Sequence, residues 1–288
     1  MGMSMRSHDL KFDLGEAVAS RWSPAQPEFS HCASAFMAAL PQLEPYFMHN
    51  VREALELLRD PTLVREAECF IQQEARHAQQ HRAWNQVLAR RYPGFDALER
   101  AIKTRLAASK RRHSLPFRLA YTAGYEALTY QVVSFFVSQR ERFLRDADPR
   151  LIALLAWHAV EEVEHKCVAF DVFEAVHGGY LLRVAGLLTA VAYTAHDLHK
   201  ILTHLMRADG LARDRDSRRR LNALRLALLR YLLPELRHYF RLGYHPSQHR
   251  DPMLADAWLE HFGAGRDLRA LTFEALDVLA RGATIAQA

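Results

Sequence analysis

Trp157–Phe173 reads WHAVEEVEHKCVAFDVF, and the rest of the chain is best read outward from it. Two His, four carboxylates and one Lys sit in a run otherwise made of Ala, Val, Phe, Trp and Cys, with no Gly or Pro to interrupt it. Apolar positions recur at helical spacing, so the stretch is expected to be a helix. Residues three, four and seven apart share a helix face, which puts His158, Glu162 and His165 together. A face that mixes imidazole with carboxylate is costly to bury unless the groups pair or hold a metal.

Glu162-x-x-His165 alone says little, because the chain has five such pairs: Glu28/His31, Glu74/His77, Glu162/His165, Glu174/His177 and Glu235/His238. Context separates them. The first follows Pro27 at a helix start, the fourth abuts Gly178-Gly179, and the fifth follows Pro234 on a basic amphipathic stretch. Only Glu74/His77 and Glu162/His165 fall mid-helix, and each has another imidazole one turn away, His81 beyond His77 and His158 before Glu162. A helix with an isolated carboxylate precedes each pair. Glu44 is the only charged residue between Glu28 and Arg52, and Glu126 is the only one between Arg118 and Arg140. The order Glu44, Glu74/His77, Glu126, Glu162/His165 is that of a duplicated helical hairpin. Four helices projecting such a set inward make a dinuclear site. The expected metal ligands are Glu44, Glu74, His77, Glu126, Glu162 and His165. His81 and His158 are counted as further candidates, either as ligands or as groups that orient the carboxylates.

Plainer readings compete. A buried Glu is commonly balanced by Arg or Lys, and Arg76, Arg82 and Lys166 are available. Glu44 and Glu126, however, have no basic residue within a turn. Glu161 and Glu164 are expected to face away and pair with bases or solvent. Asp171, just under two turns from Glu162, is a candidate to anchor a ligand His. Cys167 and the Phe135-Phe136 pair read as core.

The bulk numbers agree with a folded helical protein. Half of the 288 residues are apolar and Gly and Pro are few, with no period-2 run bounded by turns. The expected class is all-α: a ferritin-like four-helix bundle with additional C-terminal helices. Residues 1–27 read as an N-terminal arm, 28–206 as the dimetal bundle, and 207–288 as a helical extension packed on it. Helices are expected over about 29–59 (kinked or split at Pro41 and Pro45), 62–91, 96–109, 117–145, from about 150 to Gly178, and 180–206. A charged linker follows at 207–220, then a helix over 221–240 and two shorter ones. The 117–145 helix is nearly long enough to span a bilayer, but a lone Glu126 among aromatics fits a buried core helix better. The net charge of +5 is mild, and the basic residues gather at Lys110–His113 and Arg213–Arg220, expected as loops. Nucleic-acid binding is therefore not expected, and peripheral membrane contact is a minor alternative. Three distant cysteines and an N-terminus without an apolar core point to a reduced, cytoplasmic setting.

WHAVEEVEHKCVAFDVF, FIQQEARHAQQH and the late GYHP resemble the bacterial family called predicted metal-dependent hydrolases, which has a ferritin-like fold. The likeness runs from about Phe29 to Phe262. The chain keeps Pro41 and Glu44 of the family's Phe-Pro-x-Gly-Glu pattern but has Leu43 where the family has Gly. The resemblance implies a dimetal site and a metal-dependent enzyme. From the ligand set, the first expectation is a non-haem di-iron oxidoreductase that uses dioxygen to oxidise or hydroxylate a small apolar substrate, with an electron-donor protein as a possible partner. The alternative is a hydrolase using a metal-activated water, and a further one is iron binding or storage without turnover. The cofactor is expected to be two transition-metal ions, iron first, with manganese or zinc as alternatives. An oligomer is compatible with all three.

Overall fold

The structure, a computed structural model, describes residues 10–15, 21–249, 251 and 253–282. Among these there is no strand, so the chain is all-α. The helices are α1 (Pro27–Met37), α2 (Leu40–Ala54), α3 (Pro61–Arg91), α4 (Phe95–Arg112), α5 (Leu115–Ser138) and α6 (Arg140–Phe143), followed by α7 (Pro149–Val176), α8 (Tyr180–Ala208), α9 (Arg215–Leu236), α10 (Met253–Gly263) and α11 (Phe273–Ala280). Two of the long helices start the same way. Asp60 and Asp148 cap α3 and α7, their carboxylates accepting from the Thr62 and Arg150 amides at 2.8 and 2.9 Å, and Pro61 and Pro149 take the first helical position.

Four helices surround the core of interest. Contacts run round a ring from α2 to α3, α7, α5 and back to α2. The two helices carrying Glu-x-x-His are neighbours in that ring. Their register is antiparallel: Glu74 meets His165 at 2.9 Å and His81 meets the His158 ring at 4.9 Å between centroids, seven residues on along α3 and seven back along α7.

α5 is apolar around its whole circumference because it is covered around its whole circumference. α2 and α7 lie on one side and α8 and α9 on the other. α8 comes closest at two glycines. A Cβ on Gly124 would stand 2.6 Å from Leu187 Cα, and one on Gly186 would stand 2.2 Å from the Ala120 carbonyl oxygen. Only glycine permits that backbone approach. Among the described residues no helix is long and apolar enough to cross a membrane.

Several boundaries differ from the sequence reading. The expected 29–59 helix splits at Ala38-Ala39, ahead of Pro41, which sits in the first turn of α2, while Pro45 lies inside α2. The 117–145 helix breaks at Gln139, whose φ of −104° and ψ of 15° leave the helical region. Arg215–Arg220 is not linker but the first turns of α9. Asp214 caps it, accepting from the Ser217 amide at 2.6 Å, and Arg220 is held in a fork by buried Glu28. Lys110–Arg112 likewise ends α4. From the stretch expected as an arm, Phe12, Leu14 and Trp22 are buried in the core.

Candidate metal centre

All eight candidate residues come together in the middle of the ring, and none is more than 2 % exposed. α2 brings Glu44, α3 brings Glu74, His77 and His81, α5 brings Glu126, and α7 brings His158, Glu162 and His165. Two groups form. Glu74, His77, Glu162 and His165 each offer a ligand atom within 4.8 Å of the others, and so do Glu44, His81 and His158. Glu162 joins them, its Oε1 lying 2.9 Å from His158 Nε2 and 3.5 Å from His165 Nδ1. Glu126 Oε2 stands 3.8 Å from His165 Nδ1, and Glu44 Oε1 3.8 Å from His81 Nε2.

Among the described residues the ion pairs of these four carboxylates go to imidazole and none goes to Lys or Arg. Lys166 points elsewhere, to Asp251 and the Tyr130 ring. The close approaches are also not lined up as hydrogen bonds. Both oxygens of Glu44, Oε2 of Glu74 and of Glu162, both nitrogens of His81, His158 Nε2 and His165 Nδ1 lack a hydrogen-bond partner. Leaving that many buried polar atoms unsatisfied costs about 1–3 kcal/mol for each group, more where it is charged. A cation among them removes the cost, so the donor set fits a metal.

The electrostatics point the same way. Burial, then the neighbouring Glu74 and Glu162, hold Glu44 well above the ordinary carboxylate range. Burial, Glu162 and Glu74 do the same to Glu126. Burial would raise Glu162 too, but His158 and His165 bring it well below that range. Burial works against a proton on His165, yet Glu74 and Glu162 outweigh it and hold the ring well above the ordinary imidazole value. His81 goes the other way, pushed well down by burial, His158 and His77. Carboxylates buried this close together repel one another, a repulsion that a bound cation relieves.

A second layer fixes the rings. His165 Nε2 faces Gln73 Oε1 at 3.1 Å, and Gln73 Nε2 donates to Glu164 Oε2 at 2.9 Å. His165 Nδ1 is thereby left as the atom turned toward Glu74, Glu126 and Glu162. His77 Nε2 stands 2.9 Å from Glu161 Oε2, and the Trp157 indole donates to Glu161 Oε1 at 3.2 Å. Neither His77 nitrogen has an aligned hydrogen-bond partner, so both remain available to a metal. Both findings correct the expectation that Glu161 and Glu164 face away. Glu161 is 1 % exposed and lies against α3. A signal existed in the sequence, since Glu161 has no Lys or Arg three or four residues away, the criterion already met by Glu44 and Glu126. Gln73 carried no such signal. Asp171 does not anchor a ligand His; its Oδ1 pairs with His245 Nε2 of the GYHP stretch at 2.7 Å. In the other Glu-x-x-His pairs, Glu28 pairs with Arg220, His31 with Asp209 and Glu235 with His249, and His177 Nδ1 accepts from the Gly179 amide at 3.0 Å.

Fold and site thus define an all-α protein with a buried carboxylate–imidazole centre suited to metal. The chain belongs to the family described as "Predicted metal-dependent hydrolase", which it matches over residues 6–250. The match begins ahead of the quoted resemblance and ends ahead of α10. No curated protein and no solved structure gives a significant match. Membership makes the protein a metal-dependent enzyme, and the family's description names hydrolysis, the second of the two chemistries that the ligand set allows.

Proposed function

We propose that the protein is a hydrolase with two transition-metal ions held in a ferritin-like core by the eight clustered residues. Glu74, His77, Glu126 and His165 would hold one ion, and Glu44, His81 and His158 the other. Glu162, within reach of both groups, would bridge them. Mixed carboxylate and imidazole suits iron, manganese or zinc. When bound, such ions supply Lewis acidity and lower the pKa of a coordinated water toward neutrality. The chain's own part is orientation. Gln73 holds the His165 ring so that Nδ1 stays free, and Glu164 holds Gln73 in turn, while Glu161, itself held by the Trp157 indole, lies 2.9 Å from His77. Phe70, edge-on to His165 at 4.7 Å, and Trp157, edge-on to His77 at 4.7 Å, wall the centre against bulk water. The Glu44 carboxylate, neither oxygen of which accepts a hydrogen bond, would be free to turn toward the second ion.

The observation that carries the reading is a buried Glu/His cluster, free of Lys and Arg, in a chain of this family. It is tested by measuring metal content and then ester, amide and phosphoester hydrolysis with each metal restored to the chelated protein. Turnover should require metal and be lost in Glu162→Gln. Metal-dependent dioxygen uptake with no hydrolysis of any class would overturn the hydrolytic reading in favour of oxidation by the same centre.

A further inference from the structure

α8 and α9 each pack on α1 and α5, and a groove runs between them. Its inner part is a cavity of about 350 Å³, within the range of small-molecule sites. Phe36, Leu128 and Val132, all buried, form the floor, and Leu198 and Leu228 stand on the walls. The mouth is apolar as well, with Val191 at 36 % and Leu229 at 52 % exposure. Unfilled space in a packed interior forfeits dispersion contacts that an apolar occupant would restore.

A second cavity of about 810 Å³ continues along the same two helices and shares His199, Leu202 and Arg225 with the first. Its lining holds Arg207, Arg213, Arg218 and Arg225 and no Asp or Glu. None of those four guanidinium groups forms an ion pair among the described residues. Their neighbours do: Arg219 pairs with Asp216 and Arg220 with Glu28. An apolar slot therefore opens directly into a cluster of uncompensated positive charge.

The groove is not the metal centre. Leu128 follows Glu126 by two residues, about 200° round the helix, so the floor and the cluster lie on opposite faces of α5.

We propose that this groove is a binding site for a fatty acid anion, with the aliphatic chain in the inner cavity and the carboxylate among Arg207, Arg213, Arg218 and Arg225. Guanidinium groups match a carboxylate in a planar fork, and the free charges supply the complementarity. The floor lies beneath α8 and α9, so a single chain can reach it, whereas a bilayer surface meets only Val191, Leu229 and their exposed neighbours. The assignment stands apart from the hydrolytic reading, because no residue of the metal cluster lines either cavity.

The test is calorimetric titration of the full-length, metal-loaded protein with dodecanoate below its micellar concentration. One dodecanoate should bind per chain, and affinity should fall as salt rises. Dodecyltrimethylammonium should bind at least tenfold more weakly. The double variant Arg218→Glu/Arg225→Glu should lose at least tenfold in affinity, with metal content and Tm kept. Ala195→Trp, or Leu229→Trp if the first misfolds, should block the chain without touching the charges. Equal binding of the cationic amphiphile, or unchanged affinity in the double variant, would overturn the proposal. So would binding to phosphatidylglycerol vesicles with none to monomeric dodecanoate, which would make the face a membrane contact. A dimer abolished by Arg225→Glu in a protein that ignores dodecanoate would assign the face to a second copy and equally overturn it.

Discussion

At the scale of single residues, the two outer imidazoles and Glu161 should behave differently. His81 and His158 share a group with Glu44, every ligand atom within 4.8 Å of the others. His81→Ala or His158→Ala should therefore lower metal stoichiometry outright. Glu161→Gln keeps the cluster but weakens the hold on His77, so stoichiometry should persist with affinity down by about 10–100-fold. Competition against a chelator of known affinity checks both, and full metal content in both His variants would remove them from the ligand set. A pH prediction follows from the same residues in the metal-free protein. Glu44 and Glu126 have folded-state values above the ordinary 4.5, so the folded state keeps protons that the unfolded state has released, and stability falls as pH rises. His165, raised above 6.5, adds to that fall. His77 and His81, lowered, act oppositely but only below 6.5, and Glu162, held low, acts only below 4.5. Above pH 6.5 the metal-free protein should thus lose stability toward the folded-state values. The metal-loaded protein should not follow, because protons compete with metal for the ligands. Urea denaturation at several pH values, with and without chelator, checks this; parallel curves would refute it.

At the scale of elements, the closest crossing is the sharpest test of how the core is covered. Gly124→Ala would push a methyl to 2.6 Å from the Leu187 backbone, and Gly186→Ala would push one to 2.2 Å from the Ala120 carbonyl. Neither obstacle is a flexible side-chain tip, so α5 and α8 have to separate. Overpacking of this kind costs about 1–3 kcal/mol, and with backbone as the obstacle the upper end or beyond is expected. Thermal melts should show a clear fall in Tm for both. An Ala exchange at Gly210 or Gly263, where a Cβ meets nothing within 4 Å, serves as the control: Gly263→Ala should be nearly silent, while Gly210, at φ 75°, bears only the backbone penalty.

At the scale of the whole molecule, the buried centre ties folding to metal. The folded state alone assembles ligands from α2, α3, α5 and α7, so bound metal stabilises it by mass action, about 2.7 kcal/mol at a free concentration one hundred times the Kd. Chelation should lower Tm by several degrees, and restoring iron, manganese or zinc should reverse it. A Tm indifferent to chelator and metal would show that the cluster binds none of them.

Helix class and most helix starts were legible along the chain, since Asp-Pro pairs, apolar periodicity and closing glycines act over a few residues. So were the eight cluster residues as candidates, because a carboxylate in an apolar helix without a basic neighbour one turn away has few ways to be satisfied. What lay beyond the sequence was which helix faces which. Glu161 sits between two faces of α7, and only the presence of α3 on that side turns it toward His77. Asp171 reaches His245 because the chain returns to α7 after α9, a separation of 74 residues that no local spacing encodes. α5 is expected from its lone Glu126 to be a buried core helix, but that α8 is what covers it, lying across Gly124, is decided by tertiary packing. Spacing within one helix determines which residues share a face, whereas the partner of that face is decided by the packing of helices remote in sequence.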